Sequence, residues 1–87
     1  MKSDLLIKKA EKLLIAGQFD TALDLLVDAL EKDSNNPEVY YLLGDVLCKL
    51  PRFEDAITMI QKADRLFPKH PRIYHLLGWA IFMKGDI

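Results

Sequence analysis

The sequence predicts an all-α fold: antiparallel helix-turn-helix units stacked one on the next, five helices in a single domain. Three observations lead there. The segment Pro37-Glu38-Val39-Tyr40-Tyr41-Leu42-Leu43-Gly44 returns 34 residues later as Pro71-Arg72-Ile73-Tyr74-His75-Leu76-Leu77-Gly78, and self-similarity at a fixed period of this size marks a stacked repeat array. Apolar residues between the repeated segments recur three and four positions apart, the spacing of one helix face. Prolines and small polar residues punctuate the pattern where helices have to stop.

Leu5, Leu6, Leu13 and Leu14 place a first helix over 4–16, with Ser3 and Asp4 as its cap and Gly17 as its end. Phe19, Ala22, Leu23, Leu26, Ala29 and Leu30 give a second over 18–32, ending near Asp33. Ser34-Asn35-Asn36-Pro37 joins turn formers to a proline suited to the first helical position, so a third helix occupies 37–49 and stops at Pro51. Phe53, Ala56, Ile57, Ile60 and Ala63 carry a fourth over 53–66. The two prolines of Phe67-Pro68-Lys69-His70-Pro71 break the ladder, and a fifth helix follows over 71–84.

Shifting the chain by one period superimposes Leu13, Leu47 and Ile81; Phe19, Phe53 and Ile87; Ala22 and Ala56; Ala29 and Ala63; and Ala10, Gly44 and Gly78. Glycine inside a helix costs about 1 kcal/mol relative to alanine, so Gly44 and Gly78 are expected where helices approach closely.

On these residues the chain resembles the tetratricopeptide repeat (TPR) family over essentially its whole length. The middle repeat, 37–70, carries the pattern most fully, in Tyr40, Leu43, Gly44, Leu47, Ala56, Ile60, Ala63 and Pro68. Repeat one, 3–36, is looser, with Leu6, Lys9, Ala10, Leu13, Ala22, Leu26, Ala29 and Ser34; a half repeat, 71–87, supplies Tyr74, Leu77, Gly78 and Ile81. The resemblance implies a short right-handed superhelix that acts in protein–protein interaction. Lys9 and Lys12 stand where Leu43 and Val46 stand in the next repeat, as expected of an outermost face. The fifth helix, by contrast, lacks a following helix to cover Tyr74, Gly78 and Ile81.

Composition narrows the function. At 87 residues, 51% hydrophobic and a net charge of −1, the chain is an ordinary globular one and lacks the basic excess of a nucleic-acid binder. Residues 1–45 hold nine acids and five bases, and 46–87 hold four acids and seven bases, which makes the molecule polar end to end. Cys48 is alone, so no disulfide or cysteine metal cluster forms within one chain. No apolar run approaches the ~20 residues of a membrane span and no leader is evident, so no membrane partner and a cytoplasmic location are expected.

Family geometry directs Ile7, Glu11, Leu14, Tyr41, Asp45, Cys48, His75, Trp79 and Phe82 toward a concave groove suited to a protein or peptide ligand. Tyr74, Gly78, Trp79, Ile81 and Phe82 are the candidates for self-association as a homodimer. Covering such side chains is worth ~1.5–3 kcal/mol each, against ~4–15 kcal/mol to associate at standard state. A self-assembly module, or a fragment of a longer scaffold, is the alternative reading.

A TPR subclass holds the terminal carboxylate of chaperone tails with lysines, asparagines and an arginine. The matching positions here are Ile7, Glu11, Leu42, Arg72 and Leu76, with a single base among them, so chaperone tails are not the expected ligand. Asp20, Asp24 and Asp28 form an acidic ladder read as a solvated face. His70, His75 and Cys48 sit at no spacing that reads as a triad or metal set, and the four glycines form no phosphate loop. No enzyme activity and no cofactor are expected.

Overall fold

The computed structural model describes residues 4–85. Five helices follow in order, α1 (Asp4–Ile15), α2 (Phe19–Lys32), α3 (Pro37–Lys49), α4 (Phe53–Leu66) and α5 (Pro71–Gly85). Ser3, the expected cap of α1, and Ile87, the expected third member of the Phe19 and Phe53 series, lie outside the described residues.

Turn chemistry sets the boundaries and repeats with the period. Gly17 takes a left-handed φ of 79°, its N–H donates to Leu14 O at 3.1 Å, and the Gln18 N–H donates to Leu13 O at 2.9 Å. This paired closure satisfies the last carbonyls of α1 and ends it one residue short of the expected 16. One period later Pro51 stands in place of Gly17 and has no N–H to give, yet Arg52 still donates to Leu47 O at 2.7 Å. The helix starts are related in the same way. The Asn36 side chain accepts from Glu38 N at 3.0 Å, and His70 Nδ1 accepts from Arg72 N at 3.2 Å. Asn36 and His70 thus play one role in successive repeats, each ahead of a proline whose missing N–H costs the helix nothing.

Consecutive helices pack side by side, and α3 also touches α1 and α5. The result is two layers, α1, α3 and α5 in one and α2 and α4 in the other, within a body of 37 × 28 × 18 Å. Ala10, Ala22, Ala29, Ala56 and Ala63 are wholly buried, as expected of small residues where helices cross. Leu26, Ile60, Val39 and Val46 are the largest side chains fully enclosed. Gly44 meets its expectation: a Cβ built there would collide with the Ile60 side chain and lie 3.5 Å from Ala56 O. Gly78 does not, since its equivalent Cβ would meet nothing within 4 Å. No helix among the described residues is long and apolar enough to cross a membrane.

Candidate functional site

Three helices of one layer border a cleft of about 360 Å³. Glu11 comes from α1, Tyr41 and Leu42 from α3, and Arg72 and Ile73 from α5, while Asn36, Pro37, Glu38, Phe67 and His70 come from the turns that start α3 and α5. Proline at both helix starts and the Asn36 and His70 caps fix those turns, so the walls are set by local chemistry repeated at one period.

The cleft is polar at its rim and apolar at its base. The Arg72 guanidinium sits over the Tyr41 ring, 5.1 Å from its centroid, a cation–π placement that holds the charge at the mouth. Phe67 meets His70 edge to face at 4.9 Å. Leu42 and Ile73 are buried at the floor. Glu11 and Glu38 supply negative charge within the space that Arg72 makes positive. Such a surface can grip an extended segment through one acidic group at Arg72 and one basic or N–H-bearing group at Glu11 or Glu38.

Of the residues expected to line a groove, the cleft gathers Glu11 and Tyr41. Leu14 and Asp45 are half-buried outside it, and His75, Trp79 and Phe82 are exposed on α5. Two expectations are corrected: Ile7 and Cys48 are enclosed in the core at 4% and 5% exposure and offer a ligand no surface. Both belong to the cluster of buried side chains that forms the core. Burial, followed by the nearby Asp45 carboxylate, pushes the Cys48 thiol up to about 11. It therefore stays protonated and unreactive at neutral pH.

The sequence places Asn36, Phe67 and His70 in turns, without assigning them to a groove. Phe67, a large aromatic left half-exposed in a proline-bounded turn, was the available signal.

The second surface is α5 itself. One stripe holds Tyr74, Gly78 and Ile81, with Phe82 beside it and Trp79 further round, all exposed. Trp79 leans on Phe53 of α4, ring centroids 6.0 Å apart. The opposite stripe, Ile73, Leu76 and Ala80, is buried.

Known proteins share this architecture. The family model for the tetratricopeptide repeat matches residues 13–80. A TPR repeat-containing protein of Methanocaldococcus jannaschii is 27% identical over 81 residues, which is 93% of this chain and 14% of that protein. The chain thus spans about one-seventh of that relative's length. Among solved structures, the first TPR of Spaghetti (RPAP3), bound to HSP90 peptide SRMEEVD, superimposes with a TM-score of 0.93 at 24% identity, covering 98% of this chain and 68% of that one. YrrB, described as a TPR protein with an unusual peptide-binding site, gives 0.87 at 26% identity, covering 97% and 43%. A family match over most of the chain, joined to paired helices repeating at the expected period, is decisive: this chain belongs to the tetratricopeptide repeat family.

Proposed function

We propose that the chain is a non-enzymatic protein-interaction module that binds an extended peptide segment in the cleft between α1, α3 and α5. The observation that carries this reading is the convergence of Arg72, Tyr41 and Glu11, from three different helices, on one apolar-floored space. The helices hold these groups in place before a ligand arrives, which reduces the ordering cost of binding. Spaghetti with its bound peptide and YrrB with its peptide-binding site support the class of ligand.

The ligand differs from the HSP90 tail found on Spaghetti. Of the five positions at which the resemblance would place carboxylate-binding donors, Ile7, Leu42 and Leu76 are buried apolar groups, Glu11 is an acid, and Arg72 alone donates. One guanidinium does not replace the several donors that a desolvated carboxylate requires. Panning the full chain against a random heptapeptide library tests the cleft. Selected peptides should lose at least about tenfold in affinity, ~1.4 kcal/mol, with Tyr41→Ala or Arg72→Glu. Peptides indifferent to both changes would remove the cleft from the mechanism, and saturable binding of SRMEEVD would reverse the reading of the ligand.

Self-association is the second part of this reading. The exposed Tyr74, Ile81 and Phe82 favour contact with another polypeptide. However, α5 carries Arg72, His75 and Lys84 and no acid, so a two-fold pairing of identical α5 helices sets like charges together. Light scattering over a concentration series measures the outcome: growth to dimer mass assigns the face to a second copy, and constant monomer mass rules that copy out.

A further inference from the structure

The charge of the cleft says what kind of segment fits it. Glu11 and Glu38 stand against a single base, Arg72, and His70 adds no charge while its Nδ1 accepts from the Arg72 N–H. The cleft is therefore net negative. Its one guanidinium already lies over the Tyr41 ring, whereas the carboxylates have no such counterpart: the ion pairs among the described residues are Arg52 with Asp55 and Lys84 with Glu54. Lys8, Lys9 and Lys12 border a separate hollow along α1, which Glu11 also edges, and none of them is ion-paired to it.

The repeat lays this charge out in order. Glu38 and Arg72 occupy one repeat position, and Glu11 shares another with Asp45 and Trp79. At these positions α1 and α3 carry acids, and α5 carries a base and an indole. Resting on the peptide-binding reading above, we infer that the segment taken up by the cleft is a basic one, with a lysine or arginine side chain seated over α1 and α3 against Glu11 and Glu38. The aliphatic stem of such a side chain suits the apolar floor of Leu42 and Ile73, while its cation stays at the wet rim. An acidic segment would meet one guanidinium and two like charges, an arrangement that rejects it.

The probes are two pools of end-blocked heptapeptides, random among uncharged residues except for a central lysine in one pool and a central glutamate in the other. Captured on the full chain, the lysine pool should be retained at least about fivefold over the glutamate pool. For individual lysine peptides recovered in this way, the double variant Glu11→Gln/Glu38→Gln should weaken binding at least about fivefold, with circular dichroism confirming that the variant is folded. Raising NaCl from about 0.05 M to about 0.5 M should weaken the same peptides, because the pairs sit at a screened rim. Glu38→Lys, which puts on α3 the kind of charge that Arg72 holds on α5, should move retention toward the glutamate pool. Equal or preferred retention of the glutamate pool overturns the inference, as does a double variant that binds the lysine peptides as tightly as the parent. The two levels of the reading separate at Tyr41→Ala. Glutamate peptides that need Tyr41 would keep the cleft and sink the basic segment, whereas pools that are not retained, or are indifferent to Tyr41→Ala, would remove both.

Discussion

Helices α3 and α5 open on the same repeated segment and meet opposite fates. On the stripe toward the preceding helix they agree: Val39, Leu42 and Val46 are buried, and so are Ile73, Leu76 and Ala80 one period later. On the other stripe they part. Tyr40 and Leu47 are 6% and 5% exposed, whereas Tyr74 and Ile81 are 52% and 50% exposed. The difference is α4, which covers one helix on that side and not the other. A residue's contribution in a repeat array is therefore set by its neighbours as much as by its own identity.

The largest test of that contrast truncates the paired tyrosines. Tyr40 is buried, donates its hydroxyl to Ser34 O at 2.8 Å, and has the Lys62 ammonium 5.9 Å from its ring centroid. Tyr40→Ala should cost ~3–5 kcal/mol in urea unfolding, whereas Tyr74→Ala should cost under about 1 kcal/mol. Equal losses would mean that α5 is covered in solution.

Paired glycines should give opposite signs. Gly44→Ala forces Ile60 out of a packed position and should destabilise by ~1–3 kcal/mol. Gly78→Ala adds a methyl in open space and should stabilise by up to about 1 kcal/mol through helix propensity. Thermal melts of the two variants, compared with the parent, read both. A destabilised Gly78→Ala would show a close neighbour over α5.

The helix starts provide a smaller pair. Asn36→Ala should lose ~0.5–2 kcal/mol with its cap. His70→Asn keeps an acceptor in the same place and should hold stability within about 0.5 kcal/mol, while His70→Ala loses part of it. Lys69, just before, adopts a left-handed φ of 63°. Lys69→Gly should therefore be neutral to stabilising, by up to about 1 kcal/mol.

The smallest effect concerns Cys48 and Phe82, which occupy one repeat position at 5% and 65% exposure. Iodoacetamide at pH 8 should alkylate Cys48 slowly, and the introduced thiol of a C48A/F82C variant rapidly. The Cys48 thiol, raised from 9.0 to about 11, also dictates the sign of a pH effect. The unfolded chain releases this proton first, so the stability linked to Cys48 is fully present below pH 9 and is lost as pH rises toward 11. Urea midpoints of the parent and Cys48→Ala should converge or cross over that window; parallel curves would deny the burial.

Much of the fold was legible in the chain. Prolines at 37, 51 and 71 and glycine at 17 set helix ends to within a residue, because turn and cap chemistry is local. The alanine series identified the crossings, since only small side chains fit there. Less of the candidate site was legible. Glu11 and Tyr41 could be named from family geometry, but Phe67, His70 and Glu38 join them only because turns from separate repeats are brought to one end of a layer.

By itself the sequence determined the period, the five helices and the stacked all-α class, all properties of spacing and side-chain type. Only the tertiary structure decided that Gly44 is a contact and Gly78 an opening, that Ile7 and Cys48 are core, and that Arg72 closes over Tyr41. Those outcomes depend on which helix lies across which stripe, and residues identical in the repeat acquire different surroundings there.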